Sequence, residues 1–144
     1  MSDLRARVLG VDPGQARIGL ALSDLLGVTA QPLPRLDCVG PKKDLNRIAD
    51  VVREHEVKTV VIGLPLSLDG SDGPAAIASR EMAEGLSRRL QGVEILLWDE
   101  RLTTVVAERT MVAANVRRKK RRDHVDSIAA ALILQNWLDA QASF

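Results

Sequence analysis

Three acids carry the chemistry open to this chain. Asp12 follows the largely apolar run Arg7-Val8-Leu9-Gly10-Val11 and opens the turn Asp12-Pro13-Gly14-Gln15. Glu100 follows a second apolar run, Val93-Glu94-Ile95-Leu96-Leu97-Trp98, within Asp99-Glu100-Arg101. Asp126 stands at the start of an apolar helical stretch, where Ala129 and Ala130 are small enough to let it lie close against a sheet. Carboxylates gathered at neighbouring strand ends repel one another unless a cation sits between them, and hard oxygen ligands select Mg²⁺ or Mn²⁺ over zinc. Such a site activates water and stabilises the leaving oxygen of a phosphodiester, using two ions about 3.5–4 Å apart. Taken singly, each acid also has a plainer role. Asp12 suits a turn, Glu100 an exposed strand end, and Asp126 the first turn of a helix, where the macrodipole favours an anion.

The elements that must position these acids follow from periodicity. Asp12-Pro13-Gly14-Gln15 has the residue types of a type II turn, with Pro fixing the second position and Gly free to take positive φ at the third. The return strand runs from Ala16 to Ser23 and ends on Asp24, read as a strand-end cap. A third strand, Ala30 to Val39, carries Pro32 and Pro34, which confine it to a sheet edge. Pro41 opens a helix from about Lys42 to His55, with Leu45, Ile48, Ala49 and Val52 on one face. Lys58 to Gly63 is a short β-branched run, the mark of a buried strand, and a Gly-, Ser- and Asp-rich loop follows to Gly73. Pro74 lies just inside the next helix, with Asp72 or Gly73 as its cap and Ala78, Met82, Leu86 and Leu90 along one side. Thr103 or Thr104 caps a helix to about Ala114. Asp123 caps the last helix, whose core face is Val125, Ile128, Ala129, Leu132 and Ile133. The order β-β-β-α-β-α-β-α-α implies a mixed sheet in one three-layered α/β domain spanning residues 1–144.

Charge is unevenly distributed. Arg117-Arg118-Lys119-Lys120-Arg121-Arg122 holds 6 of the 20 basic residues, and removing it leaves 14 against 19 acidic ones, a net of −5. Positive charge is therefore concentrated just before Asp126, where it suits phosphate binding at the rim of the proposed site. Trp98, Trp137 and Phe144 are the only aromatics, which argues against base stacking as the main binding mode. Cys38 is the single cysteine, so neither a disulfide framework nor a Cys-based metal site is expected. Without an apolar run of about 18–20 residues or a signal-peptide pattern, a cytoplasmic protein with no membrane partner is expected.

Four stretches, in order, together resemble the YqgF/RuvX family of the ribonuclease H-like superfamily. They are Leu9–Asp24, Gly63-Leu64-Pro65-Leu66 continuing to Asp69-Gly70, Asp99 to Thr104, and Asp126 with Ile128 to Gln135. The resemblance implies a five-stranded mixed sheet of order 3-2-1-4-5 with helices on both faces, and a nuclease site holding two divalent ions. It carries the catalytic and metal-binding roles onto Asp12, Glu100 and Asp126. Asp123, one turn earlier than Asp126, is a further candidate ligand whose other role is the helix cap. The family's described activities are Holliday junction resolution and 5′-end maturation of pre-16S ribosomal RNA, so the expected partner is structured RNA or branched DNA. Arg17, Arg101 and the run Arg117, Arg118, Lys119, Lys120, Arg121 and Arg122 are the expected nucleic-acid contacts. Junction resolution needs two active sites, hence a homodimer, although no dimer stripe is legible here. Two rival readings are a non-catalytic nucleic-acid-binding module and an ATP-binding lobe of the actin and sugar-kinase kind.

Overall fold

A computed structural model describes residues 6–102 and 127–142. The expected helix capped by Thr103 or Thr104 and running to about Ala114, the basic run 117–122, Asp123, His124, Val125 and Asp126 lie outside the described residues.

Five strands form one sheet: β1 (Arg7–Pro13), β2 (Arg17–Ser23), β3 (Ala30–Asp37), β4 (Val57–Leu64) and β5 (Glu94–Asp99). Their order is β3-β2-β1-β4-β5, with β1 antiparallel to β2 and parallel to β4. β2 and β3 pair antiparallel, and β4 and β5 parallel, so the sheet is mixed as expected. Helices α1 (Pro41–Glu54) and α2 (Pro74–Arg89) cover one face, and α3 (Ile128–Ala142) covers the other.

Strand alternation divides the core between these faces. Leu9, Val11, Ile18, Leu20, Val60 and Ile62 pack with Ile48, Ala49 and Val52 of α1 and Leu86 of α2. Val8, Ala21 and Val61 pack with Ala130, Ala131, Ile133, Leu134 and Leu138 of α3. The small residues on α3 that meet the sheet are Ala130 and Ala131; Ala129 is only half-buried. On α2 the buried positions are Ala76, Ser79, Gly85 and Leu86, whereas Ala78 is exposed. The buried stripe thus differs from the expected one at its first member, because the 3.6-residue repeat running back from Leu90 through Leu86 and Ala83 reaches Ser79 and Ala76 rather than Ala78.

The β1–β2 hairpin differs from the expected type II turn. β1 continues through Pro13, which pairs with Ile18, and Gly14 does not adopt positive φ. Its glycine is required by space instead: a Cβ there would lie 2.3 Å from the carbonyl oxygen of Arg17. Asp72 likewise does not cap α2. Gly73 is the N-cap, and Asp72 accepts from Arg80 Nε at 2.8 Å.

At the start of α1, buried Asp44 turns back to accept from the N–H groups of Val39 and Gly40 at 3.0 and 3.4 Å. Arg47 Nη2 donates to the same carboxylate at 2.7 Å. Burial pushes the Asp44 carboxyl up, but the donors of Val39, Arg47 and Gly40 outweigh it and hold the group below its ordinary 3.8. Because the folded value lies below the unfolded one, this stabilisation is present above pH 3.8 and is lost as pH falls through the folded value. Asp44→Ala is expected to destabilise the protein by about 1–2 kcal/mol at pH 7. The difference between the two proteins in urea melts should shrink below the ordinary carboxylate range.

Candidate active site

Asp12 and Glu100 stand at the same edge of the sheet, one strand apart, because parallel strands end together. The pair Val11↔Ile62 is the last one between β1 and β4, so Asp12 and Gly63 each stand one residue further along. Gly63 in turn pairs with Trp98, and Leu64 with Asp99. The carboxyl ends of β1, β4 and β5 thus place Asp12, Gly63 and Glu100 in sequence across the sheet, the position where α/β sheets form their crevices.

All three lie on the α3 side. Val8 and Gly10 face α3, so alternation directs Asp12 there too. A Cβ on Gly63 would lie 2.5 Å from Ile133 Cδ1 of α3 and 3.0 Å from Glu100 Oε2. The Glu100 carboxylate therefore rests over Gly63, and both acids are half-buried. Trp98 precedes Glu100 on the same face, and its indole Nε1 is buried with no hydrogen-bond partner among the described residues.

The neighbouring polar residues have local roles. Asp99 Oδ1 accepts from the Arg101 N–H at 2.9 Å, and its Oδ2 accepts from Arg101 Nη2 at 2.8 Å. The Arg101 guanidinium holds the Asp99 carboxyl below its ordinary range, against the opposing effect of burial. Arg101 Nη1 also donates to the carbonyl of Leu68 at 3.4 Å, tying the Gly-rich loop to the end of β5. Within that loop Asp69 accepts from the Ser71 hydroxyl at 2.6 Å and from its N–H at 2.9 Å. At the opposite end of the sheet, Asp24 closes the β2–β3 turn by accepting from Val28 N–H at 2.7 Å. Arg17 is ion-paired with Asp37 at 3.9 Å.

One contributor is not among the residues that the sequence singles out. Ser127 is fully buried beside the position of Asp126 in the chain, and its Oγ accepts from Leu20 N–H at 3.1 Å and donates to the Leu33 carbonyl at 2.7 Å. The β2–β3 register slips between Ile18 and Leu20, and the hydroxyl bridges the paired residues Leu20 and Leu33. Ser127 thus fastens the start of α3 to the sheet. A serine preceding an unbroken apolar helix is the only signal of this in the sequence.

Oxygen donors alone suit a hard divalent cation, and the berth over Gly63 is one that a Cβ would fill. Among the described residues no three acids, histidines or cysteines gather into a metal-binding group. Of the four acids expected as ligands, Asp12 and Glu100 are described, while Asp126 and Asp123 lie outside the described residues. Also among the described residues, no helix is long and apolar enough to cross a membrane.

The family model RuvX: Holliday junction resolvase matches residues 6–140. The chain belongs to the RuvX family. A RuvX-family relative from Myxococcus xanthus, named "Putative pre-16S rRNA nuclease", is 52% identical over 134 residues, covering 93% of this chain and 88% of the relative. A relative of the same name from Halalkalibacterium halodurans is 50% identical, covering 94% of this chain and 97% of its own. Among solved structures, T. thermophilus RuvC in complex with Holliday junction substrate aligns with a TM-score of 0.60 at 17% identity, covering 95% of this chain and 96% of that one. The Fowlpox virus resolvase aligns at 0.57 and 11% identity, over 94% of this chain and 98% of the other. At such identities these likenesses establish the fold, and they place the RuvX chain in the RuvC-like, ribonuclease H-type architecture.

Ser127→Ala should leave Leu20 N–H and Leu33 C=O without the hydroxyl. The expected cost is about 2–3 kcal/mol, read as a lowered urea midpoint at unchanged slope.

Proposed function

We propose that this protein is a divalent-metal-dependent endonuclease that trims the 5′ end of precursor 16S ribosomal RNA. The observation that supports the reading is that Asp12 and Glu100 stand on the same face of the sheet, at the ends of the strands flanking β4. The names of relatives at 50–52% identity support ribosomal RNA as substrate. Holliday junction resolution is the second reading, favoured by the description of the matching family model, and it requires a homodimer with two sites. Either activity suits a cytoplasmic protein.

Asp12, Glu100 and Asp126 would hold two Mg²⁺ or Mn²⁺ ions, with Asp123 as a further ligand or as the cap of its helix. When bound, the ions would supply activation of water and stabilisation of the leaving oxygen. The chain's own task is to hold rigid carboxylates where their like charges would otherwise push them apart. Glu100 is seated by Gly63, and Asp12 is fixed by its pairing with Gly19 of β2, one residue past the last β1–β4 pair. Arg117, Arg118, Lys119, Lys120, Arg121 and Arg122 would bind phosphates beside the site, and Arg17 would extend that contact along the hairpin. Arg101, held by Asp99, would present its remaining guanidinium surface to the nucleic-acid backbone. A non-catalytic binding module would need none of this carboxylate geometry.

Asp12→Asn is expected to lower cleavage of precursor RNA at least about a hundredfold while binding survives, since metal charge stabilisation is worth several kcal/mol. Full activity in this variant would refute the reading. Cleavage of precursor RNA and a four-way DNA junction side by side, with Mg²⁺, Mn²⁺ or EDTA, separates the two substrates. Neutralising residues 117–122 should weaken binding across sequences. The slope of log affinity against log salt should flatten by about 0.7–0.9 for every phosphate that the protein no longer neutralises.

A further inference from the structure

We propose that Gly63 is a positioning residue for Glu100, its missing side chain leaving the berth that sets the carboxylate's place beside Asp12. The proposal rests on the reading of Glu100 as a metal-binding acid.

Gly63 lies within β4 and its φ is not positive, so the backbone there would accept any residue. What excludes a side chain is space. A Cβ would stand 2.5 Å from Ile133 Cδ1, 3.0 Å from Glu100 Oε2 and 3.1 Å from Glu100 Cδ. The Ile133 contact is with the far end of a flexible side chain, which can turn aside. The two Glu100 contacts are with the carboxyl group itself, which would have to retreat by a few tenths of an ångström.

Glu100 cannot make that retreat by swinging its backbone. It opens a short 3₁₀ turn, Glu100–Leu102, whose geometry is tied down on both sides. Asp99 accepts from the Arg101 N–H at 2.9 Å and from Arg101 Nε at 3.1 Å, bracketing the intervening residue. Arg101 is itself joined to Leu68 in the loop that leaves β4. The side chain alone must absorb the displacement. Ligand distances in a functioning metal site are held to about 0.2 Å, and Mg²⁺ tolerates little departure from octahedral geometry. A methyl group at position 63 thus acts on metal affinity through Glu100.

The structure also supplies the control. Ile133→Val removes Cδ1 and with it the tightest clash, leaving only the pressure on Glu100. Four proteins are compared: wild type, Gly63→Ala, Ile133→Val and the double variant. Each is measured for thermal midpoint, Mn²⁺ affinity by calorimetry, and kcat and KM on precursor RNA. Gly63→Ala should lower both midpoint and Mn²⁺ affinity. In the double variant the midpoint should return to that of Ile133→Val. Its Mn²⁺ affinity should stay at least about tenfold weaker and its kcat depressed at unchanged KM, the size of effect seen when the support of a metal ligand is disturbed. Ile133→Val alone should bind Mn²⁺ as the wild type does.

Recovery of Mn²⁺ affinity together with the midpoint would show that Gly63 serves packing alone and overturn the proposal. So would wild-type affinity in Gly63→Ala, even with normal cleavage, in which case the nuclease reading stands. If wild type binds Mn²⁺ but cleaves neither RNA nor junction, the nuclease reading fails. Weakened affinity in the double variant still supports the positioning role in that event. A wild type that binds no Mn²⁺ would overturn both.

Discussion

The depth at which α3 lies on the sheet governs the rest of this structure. A Cβ on Gly10 would fall 2.7 Å from Leu134 Cβ and 2.9 Å from the Ala130 carbonyl oxygen, so the helix rests on the bare backbone of β1. Ala21, opposite Gly10 on β2, and Ala130 and Ala131 on the helix keep that seam thin. Close approach brings Ile133 over Gly63 and lets the short side chain of Ser127 reach between Leu20 and Leu33. Gln135 is within reach of β3 for the same reason, accepting from Ala30 N–H at 2.9 Å and donating to the Val28 carbonyl at 2.8 Å. A bulkier residue anywhere on this seam would lift the helix and loosen all three attachments together.

The acids of the sheet's carboxyl edge divide by what holds them. Asp99 is neutralised by Arg101 and Asp69 is bound within its own turn. Asp72 belongs to Arg80. Asp12 and Glu100 differ in being carried on the α3 face at the ends of buried strands. On the proposed reading, repulsion between carboxylates so placed is what a bound cation would offset.

Much of this arrangement is legible in the chain. Residue periodicity locates every described strand and helix to within a few residues, and the two prolines of β3 mark it as an edge. The strand order comes from the family resemblance rather than from periodicity, since local pattern says nothing of which strands pair. What escapes a reading of residue types is contact between distant residues. Ser127 and Leu20 are 107 positions apart, and nothing in either neighbourhood announces the other. Gly14 is indispensable to its turn, but through a steric clash with Arg17 rather than positive φ, and such a clash leaves no trace in residue type. Asp72 has the composition of a cap, yet its partner Arg80 lies two helical turns further on. The candidate site shows the same division. Asp12 and Glu100 are visible as acids after apolar runs, whereas Gly63 acquires meaning only once the strands lie side by side. Asp126, Asp123 and the basic run fall outside the described residues.

The prolines of β3 also bear on how copies of this chain would meet. Ala30 N–H is already engaged by Gln135, and by strand alternation residue 32 turns its nitrogen toward the same margin, while residue 34 falls where the β2–β3 register slips. Both are proline, so neither position has a hydrogen to offer an incoming strand. Unfinished sheet edges are the usual templates for the runaway stacking of identical chains. Along this part of β3 that template is interrupted, which hinders identical chains from adding strand to strand there.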